Sequence, residues 1–274
     1  YAKSVTLGKT HWSDTNRVML RNRRIGCSVS GVAQFITQRG LHELKNWLEE
    51  GYDTIQEWDN MYSDWFAIPK SIKTTSVKPS GTVSLLAGAT PGLHYPESRF
   101  YIRRIRVSKH SELLVPMEKA GYKIEPAFGS EDTTMVVEVP VDVGEGIRTA
   151  ADLSIWEQFS LAAFMQRHWA DNQVSCTVTF NPETEGEQIP NVLNYFQYHL
   201  KGISLLPRHD WGAYPQMPYE AIDEKEYNKQ TKKLGKLSFG VIKNEEAEID
   251  KFCNNDSCEV PSLTGDNDDQ DYAN

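Results

Sequence analysis

Cysteine is scarce in this chain: four residues in 274, too few for the disulfide framework of a secreted domain. No apolar run approaches the ~18 residues of a spanning helix, and the opening residues lack the pattern of a signal peptide. Positive charge is also in short supply, with 29 Lys+Arg against 38 Asp+Glu and a net charge of −9. Without clustered cations there is no electrostatic footprint for nucleic acid. These absences point to a reducing cytoplasm, with neither membrane nor nucleic acid as partner. The chain opens on Tyr1 rather than Met, which reads as a piece of a longer reading frame.

What is present is enough for a core: 39% of residues are hydrophobic and 11% aromatic, which excludes general disorder. The charge is uneven. Residues 244–274 carry ten acids and one base, the whole net charge, so residues 1–243 balance. An acidic, Asn-rich end without periodicity reads as a flexible tail behind a globular body.

Apolar residues recur at helical spacing from Gly31 to Trp65, interrupted at Gly40 and Gly51, which predicts two or three helices. Helices are also expected over 111–121, 153–169 and 188–201. Residues 72–77, 101–107, 133–141, 174–180 and 203–206 read as strands, with one more possible within 232–241. The alternation argues for an α/β domain containing parallel strands. Helix aromatics are expected in the core.

Lys78-Pro-Ser-Gly-Thr-Val-Ser84 follows a strand with a small-residue loop. Free backbone N–H groups and small hydroxyls there could surround a phosphate. The order is not that of a Walker loop, and an ordinary Ser-Gly turn is the simpler reading. Pro91-Gly-Leu-His-Tyr-Pro96 is a rigid second loop; His94 is either an acid–base group or, more simply, a packed histidine. Cys253 and Cys258, four residues apart in the acidic tail, are either a thiol–disulfide exchange pair or two idle cysteines. No further ligands nearby suggest a metal. Cys27 and Cys176 read as small apolar fillers. Arg21, Arg23, Arg24, Arg103, Arg104 and Arg106 read as salt-bridge partners rather than phosphate ligands.

The order Asn22-Arg-Arg-Ile-Gly26, Lys78 to Ser84, Pro91 to Pro96, Tyr101-Ile-Arg-Arg104 and Trp169-Ala-Asp-Asn-Gln-Val-Ser175 resembles the C-terminal portion of ribonucleotide reductase large subunits. The similarity is to the monomeric, adenosylcobalamin-dependent, class II ribonucleoside-triphosphate reductases. It implies that residues 1–243 are the C-terminal part of a ten-stranded α/β barrel and that 244–274 form a tail with a redox cysteine pair. It implies that Ser80, Gly81, Thr82, Val83 and Ser84 hold the substrate triphosphate, with Leu93 and His94 beside the ribose. Cys253 and Cys258 would re-reduce the active-site disulfide and be reduced by thioredoxin. In the family, cofactor homolysis generates a cysteine thiyl radical that takes the ribose 3′-hydrogen; water leaves C2′, and two further cysteines supply electrons.

The radical cysteine lies in an Asn-x-Cys-x-Glu arrangement, which none of the four cysteines here has. The chain is therefore expected to be an inactive fragment, with nucleotide effectors acting through an upstream region and the complete enzyme monomeric. Two other readings stay open: a cobalamin-independent sugar-phosphate enzyme with His94 as base, and a non-catalytic module binding through its acidic tail.

Overall fold

The computed structural model describes residues 1–81, 83–208 and 215–238. Four helices come first: α1 (Ala2–Val5), α2 (Ser13–Asn22), α3 (Val32–Arg39) and α4 (Leu41–Phe66). Next are β1 (Phe100–Ser108), α5 (Leu114–Lys119), β2 (Lys123–Pro126), β3 (Thr134–Asp142) and α6 (Ile155–His168). The remainder is β4 (Thr177–Phe180), α7 (Pro182–Glu185), α8 (Ile189–Phe196), β5 (Ser204–Pro207), β6 (Tyr219–Ile222) and α9 (Glu224–Thr231).

The mixed α/β expectation holds, in two distinct pieces. In the first, β4 and β5 pair in parallel, and parallel bridges Cys27↔Thr75 and Val77↔Val174 extend the arrangement. Residues 72–77 are thus an extended segment held by single bridges rather than the full strand expected. Around them α3, α4, α6 and α8 bury Val32, Leu44, Leu48, Phe159, Met165 and Phe196 with Val178 of β4. The second piece is an antiparallel sheet of order β2-β3-β1-β6. Its α9 packs against β1 and β3, with Phe100 and Tyr227 ring centroids 5.0 Å apart.

Local chemistry sets several boundaries. Ser154 caps α6, its hydroxyl accepting the Glu157 N–H while Glu157 reaches back to the Ser154 N–H, so both orphan donors are satisfied. Gly40, at φ 84, separates α3 from α4 as expected. Gly51 does not break α4: it faces Trp169, and a Cβ there would make ordinary contact at 3.4 Å. The helix aromatics correct the expectation. Trp47 and Trp65 are 62% and 66% exposed, because the buried stripe of α4 runs through Leu44, Leu48, Asp59 and Ser63, leaving the tryptophans on its flank. Through Ser238 no strand forms in the last expected stretch among the described residues.

Two buried polar ties join the N-terminal elements. Lys3 Nζ donates to Asp59 Oδ1 at 2.9 Å and to Ser71 Oγ at 3.0 Å. Asp59 also accepts the Ser71 N–H at 2.8 Å. Among the described residues no helix is long and apolar enough to cross a membrane.

Candidate functional site

The extended segment 72–77 delivers the chain into the Lys78–Ser84 loop. Ser28 Oγ accepts the Lys78 N–H at 2.8 Å. Ser80 then adopts φ 48, a left-handed conformation uncommon for a residue with a side chain. The Ser80 carbonyl accepts the Ser84 N–H at 3.1 Å, closing a turn that continues as a short 3-10 helix over Val83–Ala87. The N–H groups of Gly81 and Val83 make no hydrogen bond among the described residues. Unpaired donors at the start of a helical turn are the elements of an anion site.

Not all five expected loop residues stand alike. The Ser84 N–H is already used by Ser80, so Ser84 offers only its hydroxyl, which is buried without a partner among the described residues. The Ser80 hydroxyl accepts the Gly92 N–H at 3.1 Å and is hydrogen-bonded to the Ser30 hydroxyl. With Ser30 as donor, the Ser80 proton remains for a ligand. Thr82 lies outside the described residues, as do Cys253, Cys258 and the whole 244–274 tail.

The second loop is pressed against the first through Gly92. Its φ is 50, and a Cβ there would lie 2.5 Å from the Lys78 carbonyl oxygen, so only glycine fits. Gln34 on α3 accepts the Thr90 N–H at 2.8 Å, and the Thr90 carbonyl accepts the Gly31 N–H at 2.8 Å. Beyond Gly92, Leu93 is buried and His94 is half-buried. The His94 Nε2 accepts the Thr177 N–H at 3.2 Å. That nitrogen carries no proton in this arrangement and aims the start of β4, which matches the packed-histidine reading.

The second loop lines a cavity of about 140 Å³, together with Tyr101, Cys176, Leu206 and Tyr219 among others. Cys176 lines it just before β4, which contributes Thr177 and Thr179; β1 and β6 contribute the two tyrosines. Burial pushes the Cys176 thiol up to about 12, so it stays protonated and unreactive. Burial and then the neighbouring Tyr219 push Tyr101 to about 12, against the pull of Arg103. Glu97 also lines the cavity and is exposed; partial loss of hydration raises its carboxyl pKa, opposed by Arg208.

The arginines divide. Arg104 bridges Glu138, at 2.9 Å, and Glu220, as expected. Arg103, 1% exposed, donates to the Arg104 and Pro218 carbonyls at 3.0 and 3.2 Å. Its guanidinium lies 4.6 Å from the Tyr219 ring centroid. Arg23 is likewise spent on a carbonyl, that of Thr6, at 2.6 Å. Sequence reasoning missed Tyr101 and Tyr219. Tyr219 stands in a four-residue strand without alternation, and its place beside the loop depends on sheet pairing.

No family model matches the chain. It is 57% identical over 266 residues to a probable adenosylcobalamin-dependent ribonucleoside-triphosphate reductase of Dictyostelium discoideum, covering 96% of this chain and 35% of that protein. Against the Euglena gracilis adenosylcobalamin-dependent ribonucleoside-triphosphate reductase it is 57% identical over 263 residues, covering 94% and 36%. A crystal structure of a B12-dependent, class II ribonucleotide reductase superposes with TM-score 0.74 at 33% identity, covering 85% of this chain and 36% of that one. The chain thus spans about a third of the length of the relatives it matches. Over that shared third, in sequence and in fold alike, the chain matches adenosylcobalamin-dependent ribonucleoside-triphosphate reductases.

Proposed function

We propose that this chain supplies the phosphate grip and part of the ribose pocket of a ribonucleoside-triphosphate reductase. Residues 1–243 are then part of the catalytic barrel, and 244–274 a tail whose Cys253 and Cys258 pass electrons from thioredoxin. One observation carries the reading: in a chain 57% identical to such reductases, Gly92 locks a left-handed Ser80 loop whose Gly81 and Val83 donors are unpaired.

The chain's own residues divide the work. Gly81 and Val83 donate backbone N–H groups to phosphate oxygens, and the Ser80 hydroxyl adds a third donor. Ser84 completes the set with its buried hydroxyl, and Thr82 belongs to the same loop. Leu93 packs beside the ribose, and His94 fixes β4 at Thr177 so that the cavity wall keeps its shape. Apolar walls exclude water from a radical reaction. Adenosylcobalamin, when bound, supplies the homolytic chemistry that starts the reaction. The cavity is sized for a sugar rather than a corrin ring, so no described residue is assigned to the cofactor and no step is derived through it. No cysteine here has the Asn-x-Cys-x-Glu setting, so these 274 residues alone turn nothing over. Nucleotide effectors act elsewhere in the complete enzyme.

The test is calorimetric titration of inorganic tripolyphosphate and CTP into the chain. Gly92→Ala is expected to weaken both about tenfold, because the loop must move off Lys78. Gly129→Ala, at φ 74 with no neighbour within 4 Å of its Cβ position, carries a similar backbone penalty and should bind as wild type. Equal binding by Gly92→Ala and wild type would remove the phosphate assignment.

A further inference from the structure

Tyr219 stands 138 residues from Gly81, yet its hydroxyl donates to the Gly81 carbonyl across 3.4 Å. The same oxygen lies 3.4 Å from where a Gly81 Cβ would sit, so the phenol rests against the backbone of the loop. That contact matters because of what an anion loop requires. Its N–H groups must face the ligand, and any carbonyl turned the same way repels it. A carbonyl that already accepts a hydrogen bond from the protein is held by that partner.

Tyr219 is itself firmly held. It pairs with Arg103 in the β1–β6 register, and its ring meets Tyr101 edge-on at 5.5 Å. The buried Arg103 guanidinium lies 4.6 Å from its ring centroid. A cation over the ring draws electron density from the phenol and makes its O–H a better donor. The preceding residues are tied as well: Arg103 donates to the Pro218 carbonyl at 3.2 Å and Arg104 to that of Met217 at 3.1 Å. The antiparallel sheet therefore reaches the loop through a side chain with little freedom.

We infer that Tyr219 is a positioning residue of the phosphate loop, its hydroxyl pinning the Gly81 carbonyl so that the Gly81 and Val83 N–H groups keep their place for the substrate's phosphates. The inference rests on the reading of residues 80–84 as the phosphate grip. It gives the antiparallel sheet a share in substrate binding, although none of its residues was expected at the site.

Inorganic tripolyphosphate is the probe, titrated into the 274-residue chain and its Tyr219 variants. Tyr219→Phe keeps the ring and loses the hydroxyl. Its Kd is expected to rise about fivefold, the size of one modest hydrogen bond, with the thermal midpoint unchanged. Tyr219→Leu also loses the ring contacts and should lower the midpoint as well. In a complete reductase carrying this sequence, Tyr219→Phe should raise KM and leave kcat unchanged, a split that general loosening would not give. A wild-type Kd in Tyr219→Phe, with Gly92→Ala still weakened, overturns the positioning role and leaves the phosphate reading standing. Failure of the wild-type chain to take up tripolyphosphate removes both.

Discussion

Lys3 and Asp59 place a charge pair where water does not reach, at 4% and 3% side-chain exposure. Such a pair persists because every member is supplied: Lys3 also donates to the Pro69 carbonyl and to Ser71, and Asp59 accepts from Ser71 through both oxygens. Burial alone would raise the Asp59 pKa; the hydrogen bonds from Ser71 and Lys3 outweigh it and hold the pKa below its usual 3.8. A carboxylate depressed on folding contributes stability that is fully present above its unfolded pKa and lost as pH falls through the lower folded one. Asp171 is lowered in the same way, burial being overcome by the Thr74 N–H and hydroxyl and by Tyr52. Urea midpoints of the wild type should therefore fall in acid below about pH 4. Asp59→Asn should flatten part of that slope. It should also cost about 3–5 kcal/mol at neutral pH by leaving the Lys3 ammonium buried and unpaired. An unchanged acid slope in Asp59→Asn would show that Asp59 does not carry the dependence.

At the scale of elements, α4 shows how packing overrides a local rule. Glycine costs a helix interior up to about 1 kcal/mol relative to alanine, and Gly51 was expected to end a helix. It persists within 26 helical residues because it faces Trp169, where a Cβ would make ordinary contact at 3.4 Å. Gly51→Ala is accordingly expected to stabilise the chain by about 0.5–1 kcal/mol, whereas Gly51→Leu should destabilise it by forcing α4 from α6. Thermal denaturation of the two variants checks both signs; equal losses would mean that the site tolerates no added atom. The tryptophans failed the opposite way. Helical spacing located the apolar arc of α4 but not its edge, and Trp47 and Trp65 fall just beyond it, where partial exposure still allows Trp47 to meet Phe35 at 5.4 Å.

For the whole molecule, the proposed substrate grip and the proposed electron supply lie in different parts of the chain. The loop at residues 80–84 is set by α3, the second loop and β6, whereas Cys253 and Cys258 fall in the acidic stretch beyond the described residues. In a complete reductase with this sequence, the Cys253→Ser/Cys258→Ser double variant should lose thioredoxin-driven turnover. It should retain one turnover from prereduced protein, with CTP binding unchanged. Product quantified in single- and multiple-turnover assays separates these outcomes, and undiminished multiple turnover would show that the pair relays nothing.

Sequence by itself determined the features whose signal is local. Small residues and glycines between Lys78 and Gly92 pointed to tight turns, and helical spacing marked the 153–169 helix. The ordered motifs located the resemblance and the loop proposed to grip phosphate. Tertiary structure alone decided which distant residues complete that loop. Gly92 shows its need for glycine only when the Lys78 carbonyl arrives 2.5 Å from its missing Cβ. Tyr219 acquires a role only when sheet pairing with β1 brings it to Gly81. The reason is physical: turns and caps are satisfied within a few residues, whereas a buried hydroxyl, carbonyl or ring finds its partner only where separate elements pack.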